Sequence, residues 1–201
     1  MSRPECLAVV GTMGVGKTTL AEKIAQEWGH ALYKERPEAC PFLSGQYQDR
    51  ERYAFQTQIW FLMDIYEQIR ESQKNGSNTV FDAWITQYAY SYAPTLLSPD
   101  ELTQYNKLYT ELKKNIREPS LLISLQAKLS VILHRCRERE RGYEEKVDIH
   151  YLKALDTKNN AWIKASTVPK VVIQIDELDI VHRPTALQQI LSQIDKARHA
   201  I

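Results

Sequence analysis

The sequence predicts an α/β fold, a five-stranded parallel sheet flanked by helices. Three observations predict it. Apolar, β-branched runs recur along the chain at intervals filled by helical periodicity. The first run passes through a glycine-rich turn straight into an amphipathic helix. The second and third runs end in carboxylates, Glu35 and Asp82, at the strand ends where open parallel sheets collect their ligands. With 201 residues, the chain is expected to form a single domain spanning 1–201.

In order along the chain, strands are expected near 6–11, 31–35, 78–82, 120–125 and 170–175. Helices are expected near 17–28, 51–73, 98–116, 127–140, 148–165 and 184–198. Cys6 to Val10 reads as a buried strand because every residue is apolar. Leu20, Ile24 and Trp28 share one face of the first helix. Ser98-Pro99-Asp100-Glu101 is a helix entry, with a capping serine, a proline in the first turn and acids behind it. The weakest ordering signals lie around Pro41 to Arg50 and from Arg135 to Lys146, where a lid over about 135–146 is expected.

Composition narrows the classes. Lys and Arg number 26 against 25 Asp and Glu, which gives no electrostatic case for a nucleic-acid or membrane-surface partner. Three scattered cysteines, Cys6, Cys40 and Cys136, fit neither a disulfide framework nor a zinc site and suit a reducing compartment. The first strand begins at once, and no apolar run approaches membrane-spanning length, so a soluble, cytoplasmic protein is expected.

Gly11-Thr12-Met13-Gly14-Val15-Gly16-Lys17-Thr18 matches G-x-x-x-x-G-K-[ST] at every specified position. Glycines at 11, 14 and 16 let backbone amides turn around an anion without Cβ obstruction. The helix start adds its dipole, Lys17 a point charge, and the Thr18 hydroxyl a metal contact. Residues Gly11 to Thr18, with Thr19 in the first helical turn, are therefore expected to hold the phosphates of ATP with Mg2+. Asp82 is placed to hold that magnesium through water, or to cap a helix starting at Ala83. Glu35 is either a solvated strand-end residue or a base for an acceptor hydroxyl. Arg135 and Arg139 share a helical face, with Arg141 just beyond. Beside a phosphate loop they read as a closing arginine lid that stabilises a phosphoryl group in transit. Gln56 and Gln58, on an aromatic helix, are structural amides or readers of a base edge.

Together these residues resemble the deoxynucleoside kinase family over about residues 6 to 165. The marks are Gly11–Thr18, the stretch Tyr33 to Leu43, the helix Tyr53 to Gln58, Phe81-Asp82, and the basic lid leading into Gly142-Tyr143-Glu144-Glu145 and Tyr151 to Leu155. The resemblance implies an ATP- and magnesium-dependent transfer to the 5′-hydroxyl of a (deoxy)nucleoside. It implies Glu35 as general base, Gln58 as the base-reading amide, and Tyr47 with Glu144 on the sugar 3′-hydroxyl. Arg135, Arg139 and Arg141 become lid arginines, and Asp176 lies where the family's backbone wraps adenine. A dimer is implied too, with the helices at 51–73 and 98–116 as candidate pairing faces. The family follows its strand-three acid with Arg and then Ser or Thr, whereas this chain has Ala83-Trp84. An Asp and an Arg of the family's base pocket are Tyr88 and Ile65 here; losing both together leaves neither charge buried alone. Arg36 is the candidate to restore the positive charge missing at Ala83. Two other readings fit the phosphate loop: a kinase for nucleoside monophosphates or other small metabolites, drawing on Arg36, Arg50 and Arg52, and a non-catalytic ATP-binding regulatory protein.

Overall fold

The structure, a computed structural model, describes residues 4–138, 147–176 and 183–200. Strand β1 (Cys6–Val10) runs through the phosphate loop into helix α1 (Lys17–Trp28), and β2 (Ala31–Tyr33) follows. A 3-10 turn at Pro37–Ala39 and α2 (Leu43–Gln48) lead into the long α3 (Arg50–Asn75) and β3 (Thr79–Phe81). A continuous helical stretch comes next: α4 (Ile85–Gln87), a single π-helical turn at Tyr88–Tyr92, and α5 (Ala93–Leu96). Then come α6 (Pro99–Lys113), β4 (Leu121–Gln126), α7 (Leu129–Glu138), α8 (Ile149–Ala165), β5 (Lys170–Gln174) and α9 (Pro184–His199).

The five strands form one parallel sheet in the order β2-β3-β1-β4-β5. Strand β1 is central, with Leu7 opposite both Val80 of β3 and Leu121 of β4. The chain leaves β1 towards one edge of the sheet and later crosses to the other. The loop after β1 therefore opens at the middle of the carboxyl edge, where such sheets bind ligands. Alternation along β1 divides the core. Ala8 and Val10 face Phe61, Leu62, Phe81, Trp84 and Trp162 on one side. Leu7 and Val9 face Leu20, Ile24, Ile190 and Ile194 on the other.

The expected entry to α6 is present as a capping box: the Glu101 amide donates to Ser98 Oγ at 3.4 Å, and the Ser98 amide to Glu101 Oε2 at 2.9 Å. Strands β2 and β3 both end earlier than expected, for one reason. The Asp82 amide donates to Tyr33 O at 3.1 Å, and the Glu35 amide then turns to Asp82 Oδ1 at 2.6 Å. A side chain replaces the backbone ladder there, so Glu35 and Asp82 stand just past their strands.

The helices at 43–48 and 85–96 were not legible in the sequence. The tyrosines, threonines, serine and proline of 85–96 have modest or poor helix propensity, and burial of Ile85, Tyr88, Ala93 and Leu96 overrides it. Among the described residues, no helix is long and apolar enough to cross a membrane.

Candidate active site

The phosphate loop is shaped by what presses on it. Gly11 (φ 147°), Gly14 (φ 81°) and Gly16 (φ 103°) all lie at positive φ. A Cβ on Gly11 would stand 2.5 Å from Leu125 O, and one on Gly14 2.5 Å from Cys136 Sγ. Strand β4 and helix α7 thus come too close for any side chain at these two positions. Neighbouring side chains then pin the loop. Gln87 Nε2 donates to Gly11 O at 2.7 Å and to Asn159 Oδ1 at 3.1 Å. Thr12 Oγ1 donates to Asp156 Oδ1 at 2.8 Å, and Arg135 Nη1 to Val15 O at 3.3 Å. Lys17 Nζ curls back to Thr12 O at 3.4 Å.

Helix α1 starts at Gly16 with no capping side chain and no acidic residue in its first turn. Its first amides and its positive dipole end therefore face the loop without an internal counter-charge, which suits an anion.

Beside the loop, Thr18 Oγ1 donates to Asp82 Oδ2 at 2.7 Å. Asp82 caps no helix, because α4 begins after Trp84 without a side-chain cap. Its carboxyl is pushed above the usual range by burial, which outweighs the Thr18 hydroxyl, the Glu35 amide and the charges of Lys17 and Lys34. A buried carboxylate touching a hydroxyl at a phosphate loop is a donor set that fits Mg2+, which takes one or two carboxylates and completes its shell with water and phosphates. Among the described residues there is no cluster of three or more His, Cys, Asp or Glu that could hold a metal without such help.

A cavity of about 540 Å³ adjoins the loop. It is lined by Met13, Lys17 and Thr18 on the loop side and by Glu35, Tyr47, Gln58 and Tyr88 on the other. Seven residues expected at the site from the sequence thus share one cavity. Tyr88 stacks on Phe61 (ring centroids 5.5 Å apart, planes at 22°) and on Tyr92 (5.1 Å, 25°), which makes an aromatic wall. The Tyr88 hydroxyl donates to Glu35 Oε1.

Gln58 is 2 % exposed, and its Nε2 donates weakly to Gln46 Oε1 at 3.5 Å. Its Oε1 is buried with no partner among the described residues. An unsatisfied buried acceptor costs roughly 1–3 kcal/mol, a cost that a donor on a bound molecule would remove. Burial also pushes the hydroxyls of Tyr92 and Tyr151 well up, so both stay neutral near pH 7.

Other expected site residues lie elsewhere. Besides Val15 O, Arg135 donates to Ile175 O at 3.4 Å, so it braces the loop against the end of β5. Asp176 Oδ1 accepts from the Lys128 amide at 2.5 Å, tying the exit of β5 to the start of α7. Arg139, Arg141 and Glu144 lie outside the described residues. Arg36 does not stand in for the missing arginine as a spare charge: its guanidinium donates to Asp64, which also accepts from Gln68 at 2.8 Å. Ala83 and Ile65 are both buried in the core.

Gln46, Phe61, Tyr92 and Tyr151 also line the cavity, although they are not among the residues expected there from the sequence. For Tyr92 one signal existed, its spacing of four from Tyr88. For Gln46 there was none, because it lies in the stretch with the weakest ordering signal.

Three comparisons bear on this arrangement. The family model described as deoxynucleoside kinase matches residues 7–198. The deoxyguanosine kinase of Bacillus subtilis is 31% identical over 168 residues, covering 82% of this chain and 81% of that protein. The deoxyadenosine/deoxycytidine kinase of the same organism is 27% identical over 201 residues, covering 96% of this chain and 93% of its own length. Among solved structures, deoxyadenosine kinase from M. mycoides with dCMP and dCDP bound superposes with a TM-score of 0.84 at 22% identity, over 95% of this chain and 99% of that one.

Proposed function

This chain belongs to the deoxynucleoside kinase family, a family of phosphotransferases, and we propose that it moves the γ-phosphoryl group of ATP to the 5′-hydroxyl of a deoxynucleoside. The observation that carries the reading is the shared cavity, in which Lys17 and Thr18 of the phosphate loop look across at Glu35, Tyr47 and Gln58. Residues Gly11 to Thr19 bind the triphosphate through loop and helix amides, with Asp176 on the adenine side. Gln58 reads the base edge, the stacked Tyr88 and Phe61 form a wall on one side of the base, and Tyr47 with Glu144 holds the sugar.

Glu35 takes the 5′-hydroxyl proton as the new O–P bond forms and the bond to the ADP oxygen breaks. Lys17 and the lid arginines Arg139 and Arg141 stabilise charge on the phosphoryl oxygens in transit, while Arg135 braces the phosphate loop from behind. Thr18 and Asp82 would hold Mg2+, which would supply positive charge to the phosphates.

A monophosphate acceptor would need spare cations at the cavity; of the three arginines considered for it, Arg36 lines the cavity and is ion-paired, and Arg50 and Arg52 do not line it. Arg36 pairs with Asp64, Arg50 donates to Thr95 O, and Arg52 lies 5.1 Å from the centre of the Tyr53 ring. A cytoplasmic location is part of the same reading, supported by three scattered cysteines without paired spacing. A homodimer paired through α3 and α6 is part of the same reading, and light scattering after gel filtration tests it.

The deciding experiment is transfer of labelled phosphate from ATP to a panel of deoxynucleosides, ribonucleosides and monophosphates, with K17A as control. Transfer to a deoxynucleoside well above the control supports the reading. No transfer to any acceptor above that control sinks it and leaves the non-catalytic alternative.

A further inference from the structure

The π-helical turn at Tyr88–Tyr92 has a chemical consequence. In it the Ala93 amide bonds back to Tyr88 O, five residues away, a geometry that widens the helix and concentrates at functional sites. It brings Tyr88 and Tyr92 onto one side, where Phe61 and Tyr92 both stack on the Tyr88 ring and fix it. A ring held this way has little freedom to aim its hydroxyl elsewhere. That hydroxyl donates to Glu35 Oε1.

The backbone of Glu35 is held separately, by the hydrogen bond its amide donates to Asp82 Oδ1 at 2.6 Å. Asp82 in turn accepts from Thr18 at 2.7 Å. One hydrogen-bonded series therefore runs from the first turn of the phosphate-loop helix through Asp82 and Glu35 to Tyr88.

We propose that Tyr88 is a positioning residue of the transfer step, whose hydroxyl aims the Glu35 carboxylate across the cavity towards the phosphate loop. The inference rests on Glu35 acting as the base. Glu35 stands beyond β2, outside the strand ladder, on a segment whose next residues form only a short 3-10 turn. A long carboxylate side chain there has several rotamers to lose, and a directed donor selects one of them. The ring of Tyr88 still forms part of the cavity wall, so the residue serves binding with its ring and the reaction with its hydroxyl. The two roles are separable, because Tyr88→Phe keeps the stacked ring and removes only the donor.

The test is a double-mutant cycle read in steady-state kinetics with a deoxynucleoside acceptor, using Y88F, E35D and the pair, with E35Q as the reference for the base itself. E35D keeps a carboxylate but draws it back from Tyr88 by one methylene. The expected result is that Y88F lowers kcat about tenfold while the nucleoside KM changes by less than about twofold. In the E35D background the same substitution should cost almost nothing, because the contact is already gone.

An equal loss in both backgrounds, or a raised KM at unchanged kcat, overturns the inference and leaves Tyr88 as cavity wall alone. E35Q at wild-type turnover overturns the base assignment, and the inference with it. An inactive E35Q with an additive cycle overturns the inference alone. If Y88F does not fold, 3-fluorotyrosine incorporated at position 88 decides, because its 19F resonance should move when Glu35→Gln is introduced; an unmoved resonance overturns the contact.

Discussion

Thr18 Oγ1 donates to Asp82 Oδ2 at 2.7 Å, joining the first turn of α1 to the residue after β3. The two residues are 64 apart in sequence. The contact brings the hydroxyl of the phosphate loop and the carboxylate of a neighbouring strand to one point beside the acceptor cavity. A divalent cation bound there would meet an existing donor pair and a carboxylate already stripped of most of its water.

Asp82→Asn keeps the shape of the side chain and removes its charge. We expect a loss of roughly 10–100-fold in apparent Mg2+ affinity or in turnover, as for residues that orient a metal through water. Titrating MgCl2 at fixed ATP in the transfer assay checks this. An unchanged Mg2+ dependence would show that the carboxylate does not face the ion.

Gln58→Leu separates binding from stability. The buried Oε1 has no partner among the described residues, so replacing the amide by an apolar group of similar size removes an unsatisfied acceptor. The melting temperature of the substrate-free protein should hold or rise. The nucleoside KM should rise by about tenfold or more, corresponding to a lost hydrogen bond worth roughly 1–3 kcal/mol. A fall in melting temperature together with an unchanged KM would make Gln58 a structural amide.

Gly14→Ala tests the packing behind the phosphate loop. The new methyl would meet Cys136 Sγ at 2.5 Å and Ile132 O at 3.1 Å, on a backbone at φ 81°. The left-handed conformation alone costs roughly 1–2 kcal/mol for a residue with a Cβ. ATP affinity and melting temperature should both fall. Adding Cys136→Ala should recover only part of the loss, since the Ile132 carbonyl cannot move away like a side chain. Thermal melts with and without ATP measure both effects.

Glu5 gives a pH-dependent contribution to stability far from the site. It accepts from Arg198 through both oxygens, at 2.8 Å each, and contacts His30 Nε2 at 2.8 Å. Burial pushes its carboxyl up, but the hydrogen bonds and charges of Arg198 and His30 together outweigh burial and hold it below its ordinary 4.5. The native carboxyl thus titrates below the unfolded one. Its stabilisation is complete above pH 4.5 and is lost as pH falls through the native value. Glu5→Gln should melt earlier than the wild type at pH 7, and the gap should close as the pH is lowered from 5 towards 3. A gap independent of pH would assign the effect to packing.

Local spacing made much of this protein legible. The glycine pattern from Gly11 to Thr18 is contiguous, and its demand for positive φ and close backbone approach is met within the loop and its immediate neighbours. Strand and helix alternation follows from burial periodicity, which is also local, and it yielded the five parallel strands. Glu35 and Asp82 were legible because a parallel sheet brings its strand ends to one edge whatever the details of packing. Tyr47 and Gln58 came from the spacings of the family resemblance, and both line the cavity.

The remaining features needed the tertiary structure, because they are pairings between residues far apart in sequence. Tyr88 and Glu35 are separated by 53 positions, and Arg36 and Asp64 by 28. Nothing in either neighbourhood states which partner a hydroxyl or guanidinium will find, since such groups bond to whatever the fold brings within reach. The absent arginine at Ala83 was visible in the sequence. That Tyr88 would reach the carboxylate of Glu35 was decided by a π-helical turn and a stack of three aromatic rings. By itself the sequence determined the fold class, the phosphate loop and the two carboxylates at the sheet edge, because period and spacing are properties of the chain. The tertiary structure alone decided how Glu35 is held, because that depends on which side chains packing leaves beside it.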